Sequence, residues 1–334
     1  MRRKILFRAD GDKNIGYGHV IRSLALADML KEEFECVFVT RFINDFLQNE
    51  INKVCKKIIL LSNEDEESHF EEFLQLLNGD EIVVLDNYFF TTAYQKKIKN
   101  KKSTLVCIDD LANKHFVCDA IINHIDISVY KKYSTEKYTK LHLGMQNALL
   151  RKEFFEEKLN IKKENLLLVA FGGVDVNNLT FKYLKTLLNN KLEVKICVII
   201  NKENSKYDNI FKLTSEYSNL EILSNLSAKE MKSLMEKTKV AIFPSSSICI
   251  EGLVLSVNIV SGYYVENQKY AYKFFLDNNL VLGLGNLNQI NEKQLITLVK
   301  ANLKQDNLNT EIINSIKTSK INHIRNFKML ANGY

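Results

Sequence analysis

Ile5-Leu6-Phe7-Arg8-Ala9-Asp10-Gly11-Asp12-Lys13-Asn14-Ile15-Gly16-Tyr17-Gly18-His19 opens on a short apolar strand at Ile5–Arg8. A loop with glycines at 16 and 18 follows, and a helical pattern starts near Val20. Gly16 and Gly18 allow positive φ and close approach of a ligand to the backbone. The helix start offers unpaired N–H groups to an anion. A histidine at that point stands beside whatever binds the loop, and an imidazole suits general base catalysis near neutral pH. Other uses of His19 are a helix cap or a packing side chain. Its place in a glycine loop at a strand end favours chemistry.

Working outward, short apolar strands alternate with helical patterns. Cys36–Thr40, Lys57–Leu61, Ile82–Asp86, Thr104–Asp109 and Ala120–Asn123 read as strands, with amphipathic segments such as Val20–Leu30 and Glu67–Leu77 between them. Strands apolar on both faces imply a parallel sheet covered by helices. A second series begins with Leu166–Phe171 and continues through Val194–Ile200, Leu220–Leu223, Val240–Phe243 and Asn258–Val260. Ser227–Lys237 and Ile248–Leu255 read as helices of that half. The fold class is therefore α/β, with two Rossmann-like, doubly wound domains facing a cleft. The expected domains are residues 1–150 and 164–310, followed by a C-terminal helix in 311–334, with Glu311–Met329 as its body. Arg151–Lys163 reads as a charged helical joint.

Composition narrows the class. The 334 residues exceed one ordinary core, and 46% hydrophobic with 26% charged residues fits a globular chain. The net charge of +6 comes from scattered lysines. Their densest run, Lys96–Lys102, lacks interleaved aromatics and reads as a solvated helix end, so no nucleic-acid partner is expected. The six cysteines form no CxxC and match no zinc spacing, which is usage suited to a reducing compartment. With no signal-peptide core and no membrane span, a cytoplasmic protein is expected, and since nothing in the sequence demands an oligomer, a monomer.

Other strand ends offer chemistry. The first loop is a poor dinucleotide fingerprint, because Ile21 replaces the third glycine and Thr40-Arg41 stand where an acid should follow the second strand. No P-loop, GxSxG or HExxH occurs. Asp86-Asn87-Tyr88 and Asp109-Asp110 close two strands, and each alone reads as turn or cap chemistry. Phe171-Gly172-Gly173 exposes backbone N–H groups after the first strand of the second half. Ser246 and Ser247 start a helix whose N–H groups suit a diphosphate, and Glu251 follows where a carboxylate could hold ribose hydroxyls. Alone, the serines read as an N-cap and Glu251 as a solvent-facing residue. His69 and His323 are expected on the surface. His115, His124 and His142 lie near strand ends without metal-ligand spacing.

Leu6-Phe7-Arg8-Ala9-Asp10 with Ile15-Gly16-Tyr17-Gly18-His19-x-x-Arg22 resembles the opening of the UDP-2,4-diacetamido-2,4,6-trideoxy-β-L-altropyranose hydrolases of pseudaminic acid biosynthesis, relatives of MurG-type glycosyltransferases. Further matches are Asp86-Asn87-Tyr88, Asp109-Asp110, Leu149-Leu150-Arg151-x-Glu153-Phe154, Phe171-Gly172-Gly173-x-Asp175, Ser246-Ser247 through Glu251, and Glu266-Asn267-Gln268. The resemblance implies a glycosyltransferase-B-like fold and cleavage of a UDP-sugar without metal or cofactor. It implies His19 as the base that activates water. It places Gly16, Gly18, Arg22, Tyr88, Gly173, Ser246, Ser247, Glu251 and Asn267 among the substrate-binding residues. Asn87 stands where that family often has histidine. A MurG-like transferase and a non-catalytic nucleotide-sugar-binding protein are the alternatives.

Overall fold

A computed structural model describes residues 2–12, 16–62, 65–156, 161–172, 175, 177–303 and 310–333. It divides into two compact units, Met1–Lys152 with Ser315–Tyr334, and Glu153–Asn314. The last residues of the chain therefore belong with the first unit.

The first unit contains, in chain order, β1 (Lys4–Ala9), α1 (Gly18–Leu30), β2 (Glu35–Thr40), α2 (Asp45–Asn52), β3 (Lys57–Leu60), α3 (Glu66–Gln75) and β4 (Ile82–Asp86). Then come α4 (Thr92–Asn100), β5 (Thr104–Ile108), β6 (His115–Phe116), β7 (Ala120–Asn123), β8 (Ser134–Thr135) and β9 (Lys140–Leu143). The main sheet is parallel with order β3-β2-β1-β4-β5-β7-β9, and β6 pairs with β8 apart from it. Chain order reverses between β1 and β4. The carboxyl ends of these two strands are thus the switch point at which open α/β sheets bind ligands. The sheet is covered on both faces: Phe7, Phe38 and Val84 pack on the side of α1, while Leu6, Val83 and Leu105 pack toward Phe73 and Tyr94. That two-sided burial explains the uninterrupted apolar runs of the central strands.

The second unit repeats the plan with β10 (Glu164–Val169), α5 (Leu179–Asn189), β11 (Lys195–Ile199), α6 (Tyr207–Leu213), β12 (Leu220–Leu223), α7 (Ala228–Lys237), β13 (Thr238–Pro244) and α8 (Ser247–Val254). It continues with β14 (Asn258–Tyr263), α9 (Gln268–Asp277), β15 (Leu282–Asn286) and α10 (Glu292–Asn302). Its sheet order is β12-β11-β10-β13-β14-β15, all parallel, with the switch between β10 and β13. Two doubly wound α/β sheets are therefore present, as expected.

Three readings change. Glu311–Met329 is not one helix: α11 (Thr310–Ser315) passes through a 3₁₀ turn at Ile316–Thr318 into α12 (Ser319–Ala331). The joint 151–163 holds only a 3₁₀ turn at Lys152–Phe155 before β10, with 157–160 outside the described residues. β15 was not anticipated, because Gly283 and Gly285 dilute its strand pattern. Glycine suits both positions: a Cβ on Gly283 would lie 2.3 Å from the Tyr272 hydroxyl, and Gly285 has φ +73°. Among the described residues no helix is long and apolar enough to cross a membrane.

α12 docks through Phe327, 1% exposed in the first unit's core and edge-on to Phe34 at 6.3 Å. His323, expected on the surface, is fully buried and lies 3.2 Å from the Asn147 carbonyl. Burial pushes its pKa down to about 4. Phe327→Ala should destabilise the first unit by about 3–5 kcal/mol. Hydrogen exchange should then accelerate in β1 and β2 and stay unchanged in β10 and β13. Uniform acceleration in both units would contradict the assignment of α12.

Candidate functional site

Asp86 ends β4, a strand buried along its whole length. α1 faces it with three side chains at i, i+3 and i+4, the spacing that puts residues on one helical face. These are His19, Arg22 and Ser23. His19 Nδ1 lies 2.7 Å from Asp86 Oδ1. Arg22 donates from Nε to Oδ2 at 2.7 Å and from Nη2 to Oδ1 at 2.6 Å. The Ser23 hydroxyl adds a bond to Oδ2 at 3.1 Å. One carboxylate thus accepts from a histidine, a serine and a bidentate guanidinium, the strongest arrangement for a buried ion pair.

Burial would raise the Asp86 pKa, but Arg22 and then His19 outweigh it and hold the carboxyl down at about 2. Asp86 is therefore ionised at neutral pH and can only accept hydrogen bonds. Nδ1 of His19 must then carry the proton it shares with Asp86. The 3.1 Å approach of Arg22 Nη2 to Nδ1 sets two donors around one shared acceptor and is not a further hydrogen bond. In the neutral ring this leaves the lone pair on Nε2, the nitrogen that can take a proton.

Arg22 is engaged within the protein at both ends of its guanidinium. Its Nη1 donates to Asp110 Oδ2 at 2.8 Å, so both ends of the guanidinium meet carboxylates. Although burial lowers its pKa, Asp86 and Asp110 drive it well above the ordinary arginine value. Tyr88 completes the group. Its hydroxyl donates to Asp110 Oδ2 at 3.1 Å, and its ring stands edge-on to His19 with centroids 4.8 Å apart. The adjacent acids divide their roles: Asp109 accepts from the backbone of Leu111 and Ala112 and shapes the loop, while Asp110 reaches Arg22 and Tyr88.

A second buried network fixes the end of β1. Arg8 and Asp10 are both fully buried and doubly bonded, at 2.5 and 2.9 Å. Arg41, following β2, adds a bond from Nε to Asp10 at 2.7 Å. Burial raises the Asp10 pKa, yet Arg8 and Arg41 bring it down to about 2. His69, expected at the surface, is fully buried and accepts from Arg8 at 3.2 Å. Burial, then Arg8 and Arg41, push it down to about 4. Asn87 joins the two switch-point strands, accepting from the Asp10 amide at 2.7 Å and donating to the Asp10 carbonyl at 3.3 Å. The side chain that departs from the resembled family thus has a backbone role here.

Beyond Asp10 the loop returns through an amide bond from Gly16 to the Asp12 carbonyl at 2.8 Å. Gly16 has φ +82°, as expected, whereas Gly18 is simply the first residue of α1. No described atom lies within 4 Å of a Cβ built on either glycine. Tyr17 caps α1 without a side-chain bond.

In the second unit the loops after β10 and β13 fall at the switch point, while the Asn267 turn follows β14. Gly172 follows β10 with φ +93°. Gly173 lies outside the described residues. Asp175 accepts from the amides of Leu179 and Thr180 at the start of α5 at 2.8 Å each, and Asn178 is the N-cap. After β13, Ser245 is tied to Ser261 by a 2.9 Å hydroxyl contact. Ser246 caps α8 without a side-chain bond, so Ser246 and Ser247 stand half-buried at an uncapped helix start. Glu251 is buried at 6% exposure, not solvent-facing. Asn267 is the half-buried N-cap of α9, also without a side-chain cap bond. Among the described residues no three His, Cys, Asp or Glu side chains gather as a metal site.

No protein-family model matches the chain. It is 26% identical to a UDP-2,4-diacetamido-2,4,6-trideoxy-β-L-altropyranose hydrolase of Campylobacter jejuni over 80% of this chain and 93% of that protein. Among solved structures it resembles Acinetobacter baumannii MurG, with TM-score 0.64 and 14% identity over 99% of this chain and 100% of the other. It also resembles Arabidopsis thaliana UGT89C1 complexed with UDP-L-rhamnose, with TM-score 0.68 and 8% identity over 99% of each chain. These structural likenesses give the fold, which is glycosyltransferase-B-like.

The Asp86 pKa implies a pH dependence. Its folded value of about 2 lies below the unfolded value near 3.9, so its stabilisation is present above pH 4 and is lost as pH falls toward 2. Asp86→Asn should cost roughly 2–5 kcal/mol at pH 6, because Arg22 and His19 lose an anionic partner. That difference from the parent protein, read from denaturant midpoints, should shrink by about 2 kcal/mol between pH 4 and pH 2. A difference constant with pH would contradict the ionised Asp86.

Proposed function

We propose that the chain is a UDP-sugar hydrolase that cleaves at the anomeric carbon, with UDP-2,4-diacetamido-2,4,6-trideoxy-β-L-altropyranose as substrate. The observation that carries the reading is the Asp86–His19 pair. It fixes the imidazole with Nε2 as proton acceptor, at the switch point of a sheet and beside an open glycine loop. The similarity to the Campylobacter hydrolase and the glycosyltransferase-B-like fold support the substrate class.

In this reading His19 Nε2 takes a proton from water as the water oxygen bonds to the anomeric carbon. The bond from that carbon to the diphosphate oxygen breaks, and UDP leaves with the electron pair. Asp86 stabilises the imidazolium that forms, as a buried carboxylate does for a base histidine. Arg22 is a positioning residue that holds Asp86 and Asp110 in place. Tyr88 and the N–H groups near Gly16 and Gly18 meet the sugar side. Ser246 and Ser247 receive the diphosphate at the start of α8, where N–H groups and the helix dipole stabilise the departing charge. Glu251 holds the ribose hydroxyls, and Gly173 and Asn267 complete the UDP contacts.

UDP release from this substrate, without acceptor and in the presence of EDTA, tests the proposal. His19→Ala should lower kcat by about 10²–10⁴-fold and leave UDP affinity within about threefold. Glu251→Ala should weaken UDP binding about tenfold or more. No release by the parent protein, with UDP still bound, would replace water by an acceptor hydroxyl and make the chain a transferase. Collapse of UDP affinity in His19→Ala would remove its role as base.

A further inference from the structure

β5 and β7 pair with Ile108 opposite Ile122, and the Asp109 amide bonds to the Ile122 carbonyl at 3.1 Å. Two residues further along each strand end stand Asp110 and His124. The register brings these two strand ends together on the sheet edge that presents Asp86 from β4, and Arg22, Asp110 and Asp86 all act electrostatically on the His124 ring.

Both hold an unmet polar atom. His124 is 8% exposed, and its Nδ1 has no hydrogen-bond partner among the described residues. The same is true of Asp110 Oδ1, whose companion oxygen already accepts from Arg22 and Tyr88. Burial and then Arg22 push the His124 pKa down to about 4, so the ring is neutral at neutral pH and offers one donor and one acceptor. Buried polar groups without partners are destabilising, and these two fall together beside the Asp86 group, where one bound polar group could meet both. A ligand group with an N–H or O–H next to an acceptor atom is such a group. The sequence placed His124 only near a strand end, with neither metal-ligand spacing nor a motif to assign it a role.

We propose that His124 and Asp110 Oδ1 together hold a polar substituent of the sugar, a secondary amide or a hydroxyl, equally in the ground state and the transition state. This rests on the UDP-sugar reading of the His19 site. His124 is then a substrate-binding residue acting on ground-state affinity, while His19 acts on the chemical step.

Calorimetric binding of UDP-N-acetylglucosamine, UDP-glucose and UDP to the full chain, to His124→Ala and to His124→Gln tests it. Glutamine keeps a donor and an acceptor at similar size. His124→Ala should bind the matching UDP-sugar about ten- to a hundredfold more weakly and UDP unchanged, with most of the loss restored in His124→Gln. Loss confined to UDP-N-acetylglucosamine identifies the amide, and equal loss of both sugars identifies a hydroxyl. In turnover of the diacetamido substrate, KM should rise by a similar factor with kcat within about threefold. Unchanged sugar affinity in His124→Ala, or equal weakening of UDP itself, would overturn the proposal. Absence of hydrolysis with the sugar-specific binding loss intact would overturn the hydrolase reading alone.

Discussion

The Asp86 carboxylate is the constraint on which the first unit's site depends. A carboxylate at the end of a fully buried strand requires partners, and α1 supplies them at His19, Arg22 and Ser23. Arg22 in turn needs more than one anion, and Asp110 from the end of β5 provides the second. Tyr88 then binds Asp110 and stands against the His19 ring. Each side chain is thus fixed by the electrostatic requirement of its neighbour. The result is an imidazole whose orientation and tautomer are set by the protein before any ligand arrives, which lowers the reorganisation a reaction would need.

The same logic operates along β1. Arg8, Asp10, Arg41 and His69 form a second buried charged cluster, and Asn87 ties the Asp10 backbone to the end of β4. The two networks therefore fix both sides of the switch point. Double-sided polar networks of this kind are costly when half-satisfied, which gives the unmet atoms of Asp110 and His124 their meaning.

Much of the architecture was legible in the sequence because two-sided burial writes uninterrupted apolar strands, and glycine with histidine at a strand end marks a loop. Elements without that signature escaped: β9 is an exposed edge strand, and β15 carries two glycines. His69 and His323 were misplaced because an imidazole buried against a guanidinium or a carbonyl leaves no local pattern. The Asp86 hub was half-visible. The i, i+3, i+4 spacing of His19, Arg22 and Ser23 predicts a shared face, but its partner lies more than sixty residues away in a turn-like tripeptide. The pairing of Arg22 with Asp86 and Asp110 was not legible either, because both carboxylates lie more than sixty residues along the chain.

The neutral form of His19 should be a single tautomer. Nitrogen-15 NMR of the histidine rings, assigned by comparison with His19→Ala, reads this directly. The account predicts a protonated, pyrrole-type Nδ1 and an unprotonated, pyridine-type Nε2, with the preference weakened in Asp86→Asn. A pyrrole-type Nε2 in the parent protein would leave His19 without its proton acceptor and would contradict the mechanism.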